Sequence, residues 1–319
     1  MNGKRPQVEA LIRSGEEGRR GNRWMAATVP KMLQWELGRR VKGGDDIRSV
    51  LAFFPIRAVT AIEVFFRFAI ADLVDSGCAK SDGVDQLSRS LKFDYSLLEA
   101  LVGKKFTLGE LLGYSAPLQR LDSIISTMSA VTGTDFKKSV SSTRDRWEVE
   151  IEKKHNNPII SDVEKVLADV ARLLEVRHMV VHELSINDPF TLEDVTQYLG
   201  SAALFLDATN WFVSELIEPG APLQQGPMTE AAWKRATAAD SELQAAVNVV
   251  KSSVGERRAK ILDQSQSAWS EFRKLAAEFR ASEFEGGTMA PHIAAIEFEA
   301  VTKERIADIR RLIDVIDRR

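Results

Sequence analysis

The feature that most constrains this chain is the spacing of its apolar residues. From Trp24 to Ile313 they recur every three or four positions, and no run alternates apolar and polar as a half-buried strand does. A chain patterned this way buries its apolar surface by packing helix on helix, so the expected class is all-α: helical bundles joined by a short linker. With 319 residues, 44% of them hydrophobic and 28% charged, the chain can enclose a sizeable core and divide into two domains.

Punctuation along the chain sets the boundaries. Residues 1–45 read as a basic, glycine-containing extension with one helix over 24–39, carrying Trp24, Met25, Val29, Met32 and Leu33 at helical spacing. Asp45 and Asp46 are candidate caps for a long helix through Phe53, Ala61, Phe65, Phe68 and Leu73, with Pro55 near its first turns and Gly77 at its end. The aromatic set Phe53, Phe54, Phe65, Phe66 and Phe68 reads as core. Shorter amphipathic pieces follow over 84–91, 95–101, 107–112 and 118–128, and Thr107 precedes Glu110 as in a capping box. The polar stretch 141–158 reads as a mobile connection. Ser161 and Asp162 introduce a helix through Val166, Val170, Leu173, Leu174 and Val181, which Asn187, Asp188 and Pro189 stop. The next helix, 192–217, presents Leu199, Ala203, Leu206, Asn210 and Val213 on one face. Three prolines and two glycines among residues 218–227 then break every regular pattern. The expected organisation is therefore a helical domain over 46–218, a linker over 219–228, and a three-helix domain over 229–319 with helices at 229–252, 256–280 and 289–317.

The net charge of -3 means that contact with a polyanion must come from a local basic site. Cys78 is the only cysteine, so no internal disulfide forms and a reducing compartment is expected. The first 24 residues are charged throughout and contain no apolar run of signal-peptide length. The most apolar region, 49–74, is interrupted by Arg57, Glu63, Arg67 and Asp72, short of the roughly 20 apolar residues that a membrane span needs. A cytoplasmic protein without a membrane partner is the expectation.

Chemistry concentrates in the sequence LLEVRHMVVHE, residues 173–183, where Arg177 is followed by four residues and then His182. A histidine, with an ordinary pKa of about 6.5, moves protons at neutral pH, and an arginine keeps its charge and grips two phosphate oxygens. These are the two groups that RNA cleavage without a metal requires: a base for the 2′-hydroxyl and a cation for the charge growing on phosphate. Positions five apart on a helix point about 140° away from each other, so one helix does not focus both side chains on one point. His178 and His182 do share a face and have metal-ligand spacing, but no third ligand accompanies them. No metal and no cofactor is called for. A second reading of the same residues is Arg177 ion-paired to a neighbouring helix, with His178 a hydrogen-bonded surface or dimer residue.

The motif and its surroundings resemble the HEPN ribonucleases. In family order, residues 54–77 are similar to their long first helix, residues 106–112 (FTLGELL) to a recurrent element of one subgroup, and Arg177 to His182 to their active-site helix, so that the resemblance spans 46–218. It implies a metal-independent endoribonuclease leaving 2′,3′-cyclic phosphate ends, with RNA as substrate. It also implies a homodimer in which two copies of the helix line one cleft. His182 is then the acid or base, Arg177 the phosphate-stabilising cation and His178 a supporting polar group, while Glu183 and the Glu63 and Arg67 pair are candidate supporting residues. Such relatives act as toxins, stress effectors or anti-phage proteins, and a protein regulator or antitoxin is an implied partner. The alternative is a non-catalytic helical adaptor that binds a protein partner.

Residues 268–312 resemble the lysozyme-inhibitor LprI family through Trp269, Phe272 and Arg273, the run Gly286, Gly287, Thr288, Met289, Ala290 and Pro291, and Thr302 to Arg305. Ala277 and Glu297 stand where that exported family carries cysteines, so the resemblance implies the domain without its bridge, in keeping with a cytoplasmic role in sensing, placing or binding a partner. The stripe Ile293, Ile296, Val301, Ile306, Ile309 and Ile313 is expected to be its core, and His292 to be structural.

Overall fold

The computed structural model describes residues 19–43, 50–91, 106–154, 156–182 and 190–317. Among these the fold is all-α: eleven α-helices and one π-helical turn, with no strand beyond an isolated bridge between Arg144 and Pro158. The chain forms two compact units, Met1–Pro219 and Gly220–Arg319. Asp45, Asp46, the expected helix over 95–101, and the stop at Asn187, Asp188 and Pro189 lie outside the described residues.

The first unit is built around two helices buried on several sides. One, α2 (Phe53–Asp75), follows α1 (Arg19–Gly43) and carries Phe65, Phe66, Ile62 and Ile70 in full burial. Pro55 occupies its first turn, where the missing amide has no intrahelical partner to lose, so the helix is not divided. Gly77, at φ 76, ends it: the Gly77 amide donates to Val74 O at 3.1 Å and the Cys78 amide to Leu73 O at 3.0 Å, the hydrogen-bond pair of a Schellman cap. Phe53 departs from the core expected of it. It stands 54% exposed at the helix start, with the Arg57 guanidinium 5.9 Å from its ring centre.

The shorter helices α3 (Ser81–Ser90), α4 (Leu108–Ser115), α5 (Leu121–Thr132) and α6 (Phe136–Ser142) cover one side of this centre. Thr107 and Glu110 form the capping box of α4, and the Asp75 carboxylate accepts from the Thr107 hydroxyl at 2.6 Å and the Gly109 amide at 2.9 Å. Gly109 and Gly113, four apart, give α4 a bare face. A Cβ on either would lie 2.4 Å from a carbonyl oxygen of α2, that of Ala71 or Arg67.

The second central helix, α8 (Leu192–Ile217), starts at a capping box of Thr191 and Asp194 and pairs with α7 (Val163–His182), whose Lys165 amide donates to Asp162 at 3.0 Å. Phe66, Phe136 and Phe205 join α2, α6 and α8, with ring centres 5.5 to 6.3 Å apart. Arg23 locks α1 to both central helices: its buried guanidinium meets Asp72 at 2.9 Å and donates to Asn210 O at 3.3 Å and Ser214 Oγ at 3.2 Å. The stretch expected to be mobile, 141–158, holds the end of α6, the bridge and the π-helical turn Trp147–Ile151. Arg146 holds it in place, bonding Glu150 at 2.6 Å and Glu215 of α8 at 3.2 Å. His155 within this stretch lies outside the described residues.

In the second unit, α9 (Gln225–Ser252), α10 (Glu256–Ser282) and α11 (Ala290–Asp317) enclose Leu243, Val247, Val250, Ile306 and Ile309. The first helix begins inside the expected linker, because Pro227 fits its opening turn as Pro55 fits that of α2. Ile296 leaves the expected core stripe and is exposed. The buried line of α11 runs instead through Ala295, Glu299, Thr302, Ile306 and Ile309 at alternating spacings of four and three, and Ile296 points away from it. Among the described residues no helix is long and apolar enough to cross a membrane.

Candidate functional site

The faces of α7 separate the motif residues. Val170 and Leu173 are buried, and Arg177 falls one and two turns further along the same stripe, half-buried at the edge of the core. His178, one position on, is exposed. His182 closes the helix, its side chain lying outside the described part, as does all of Glu183. Arg177 and His178 therefore share one end of α7 on adjacent faces.

His178 lines a cleft of about 620 Å³ between α7 and the start of α5, which also takes in Gln119, Arg120, Asp122, Arg172 and Glu175 above an apolar floor that includes Leu174 and Met179. Arg172 donates to Glu175 at 3.0 Å. That bond, assisted by one to Tyr198, holds its guanidinium above the usual arginine range. Burial, reinforced by the Asp194 charge, pushes the Tyr198 phenol up. Arg172, half-exposed and paired with Glu175, thus lies six positions before His178 on the same helix. Its cleft partner Arg120, 52 positions earlier in the chain, is one the sequence gives no reason to pair with the motif.

Glu63 and Arg67 are brought together, at 3.5 Å, but away from the cleft. The Arg67 guanidinium lies 5.1 Å from the centre of the Tyr114 ring, so the pair ties α2 to α4. Among the described residues, no group of three or more His, Cys, Asp or Glu side chains is placed to hold a metal.

The second unit has its own polar centre. Arg273 on α10 is buried, its guanidinium 3.9 Å from the Phe298 ring centre and 4.6 Å from that of Trp269. It pairs with the Asp240 carboxylate and donates to Thr302 Oγ1 at 3.1 Å. Next to it Glu299 receives Arg235 at 3.2 Å and Lys303 at 2.6 Å; burial pushes its carboxyl up, but these hydrogen bonds outweigh burial and lower it. Arg305 donates to Gln266 at 2.8 Å and reaches the Trp269 ring. Trp269, Arg273, Thr302 and Arg305 are thus one cluster, to which the structure adds Asp240, Phe298 and Glu299. Phe272 does not join it and is 60% exposed. His292 sits half-buried in the first turn of α11.

A buried guanidinium stacked on two aromatic rings and tied to a carboxylate and a hydroxyl defines the second unit as a three-helix domain with a charged core. Residues 220–309 match the family model described as Lysozyme inhibitor LprI, so this part of the chain is an LprI-like domain. No curated protein and no solved structure matches the chain.

Proposed function

We propose that the first unit is a metal-independent endoribonuclease of the HEPN kind, acting as a homodimer in the cytoplasm and leaving 2′,3′-cyclic phosphate ends. The observation that carries this reading is the end of α7, where half-buried Arg177 adjoins exposed His178 in sequence and His178 lines a cleft that also holds Arg120 and Arg172. Arg177, anchored at the core edge, stabilises the charge growing on the phosphate. His182 moves the proton at the 2′-hydroxyl, and His178 supports the strand beside it. The roughly 140° between positions 177 and 182 is resolved by a second copy of α7 contributing its own pair. Glu183 is a supporting residue, whereas Glu63 and Arg67 act at one remove, by seating α4. A protein regulator fits the toxin-like or defensive role implied by the resemblance. The test is RNA cleavage in EDTA by wild type, Arg177→Ala and His182→Ala, with the oligomeric state of each measured. Loss of cleavage in both variants, with the dimer intact, supports the reading, and a fully active monomer contradicts the shared cleft.

A second reading is favoured by the LprI-like domain, whose family is named for inhibition of a protein, lysozyme. On this reading the second unit binds a protein partner and the chain is an adaptor. His182→Ala separates the two: an adaptor keeps its partner, whereas a nuclease loses cleavage.

A further inference from the structure

Helix α5 begins without a side-chain cap. Its N-cap residue is Arg120, whose carbonyl accepts from the Ile124 amide at 3.0 Å but whose side chain makes no capping bond. Serine, threonine, aspartate and asparagine fill such positions because their oxygens accept from the first amides of the helix, and a guanidinium carries no acceptor. Nor does the side chain serve the fold elsewhere: it is exposed, and among the described residues its guanidinium has no hydrogen-bond or ion-pair partner. The backbone that carries it is pinned on both sides by buried Leu118 and Leu121. A residue that breaks a local rule on firmly held backbone, without stabilising anything, is expected where function retains it.

Arg120 borders the cleft that His178 lines, and the other groups there show what it would meet. Arg172 is paired with Glu175 at 3.0 Å, so the charges on that wall cancel. Asp122 stands in the first turn of α5, where the positive end of the helix offsets its charge. Arg120 remains as the cation without a matching acid, beside a floor that includes the apolar side chains of Leu174 and Met179. An apolar floor next to such a guanidinium fits a nucleotide, which lays the flat face of its base on the floor and offers phosphate oxygens to the cation. The volume of about 620 Å³ is that of a small-ligand site.

On the reading of the first unit as a ribonuclease, we propose that Arg120 is a substrate-binding residue of that site: its guanidinium holds a phosphate of a nucleotide next to the cleaved bond, and the base of that nucleotide lies on the floor of the cleft.

The full-length protein is titrated with a short labelled 2′-O-methyl oligoribonucleotide, which lacks the hydroxyl that cleavage requires, so that anisotropy reads binding whether or not the protein cuts RNA. Arg120→Ala is expected to weaken binding about tenfold and to lower the slope of log affinity against log salt by about 0.7, the share of one phosphate contact on a single strand. Arg120→Lys is expected to keep the slope, and Arg257→Ala, which removes an exposed arginine of the second unit, to change neither quantity. Arg120→Ser is expected to lose affinity as alanine does while raising the melting temperature by about 2 to 4 °C, because serine supplies the missing cap. In RNA cleavage, Arg120→Ala is expected to raise KM with kcat unchanged. Unchanged affinity and salt slope in Arg120→Ala, an equal loss in Arg257→Ala, or a lower melting temperature in Arg120→Ser overturns the proposal, and leaves the ribonuclease reading standing if wild type cuts RNA. Oligonucleotide binding that depends on Arg120, in a protein that cuts no RNA, supports the contact of Arg120 with the nucleotide and overturns the ribonuclease reading instead.

Discussion

A guanidinium taken out of water is stabilised where its charge and its flat faces are engaged. Arg273 meets the Asp240 carboxylate and Thr302 through one terminal nitrogen and lies against the Phe298 and Trp269 rings, while its Nε has no hydrogen-bond partner among the described residues. Lysine keeps the charge and can still meet Asp240 and Thr302 from one nitrogen, but loses the stacking. Arg273→Lys is therefore expected to cost about 1 kcal/mol and Arg273→Ala about 2 to 4 kcal/mol, because the alanine empties the space against the two rings, whereas half-exposed Asp240 turns to water. Urea unfolding followed by helical circular dichroism measures both. Asp207 on α8 works in the opposite sense. Burial, with the Asp145 and Glu148 charges adding to it and Lys31 opposing, pushes its carboxyl up to about 6, above the roughly 3.9 of an unfolded chain. The folded state thus binds this proton more tightly, and the stability it contributes is full below about pH 4 and lost as pH rises through 6. Asp207→Asn, which stays neutral, is expected to be more stable than wild type at pH 7.5 by up to about 2 kcal/mol and to lose that advantage at pH 4. Paired unfolding curves at the two pH values decide it.

At the scale of elements, the close approach of α4 to α2 depends on two missing side chains. Gly113→Ala would drive a Cβ to 2.4 Å from the Arg67 carbonyl, so the helices must separate. A loss of about 1 to 3 kcal/mol is expected, read from the unfolding midpoint, whereas Gly38→Ala, at an open helical site, is expected to be neutral or to stabilise by up to about 1 kcal/mol. The glycines were visible in the sequence, but what they face was not. Local signals fared better: Thr107 with Glu110, Asp162 before α7 and Gly77 after α2 each act within a few residues, and each cap forms. The turn and bridge within 141–158 carry no local signal, since Arg146 ties this stretch to Glu215, 69 positions away. The expected α11 stripe departs from the buried line because only large aliphatic residues enter it. Glu299 and Thr302 occupy core positions, where arginines from α9 and α10 satisfy them. Of the candidate site, Arg177 and His178 share one helix and were legible together. The opposing wall with Arg120 is a tertiary fact that no spacing encodes.

At the scale of the molecule, the chain joins two helical units of different character. One places an arginine and a histidine at the end of a helix beside a cleft, and the other, an LprI-like domain, is organised round a buried arginine. The proposed division of labour is RNA cleavage by the first and partner binding by the second. The most direct measurement is incubation of purified wild-type and His182→Ala protein with total RNA in EDTA, with the fragment ends mapped. Cleavage is expected from wild type alone, leaving 2′,3′-cyclic phosphates, with both proteins equally folded and dimeric. Intact RNA with folded, dimeric wild-type protein, or equal cleavage by His182→Ala, would contradict it.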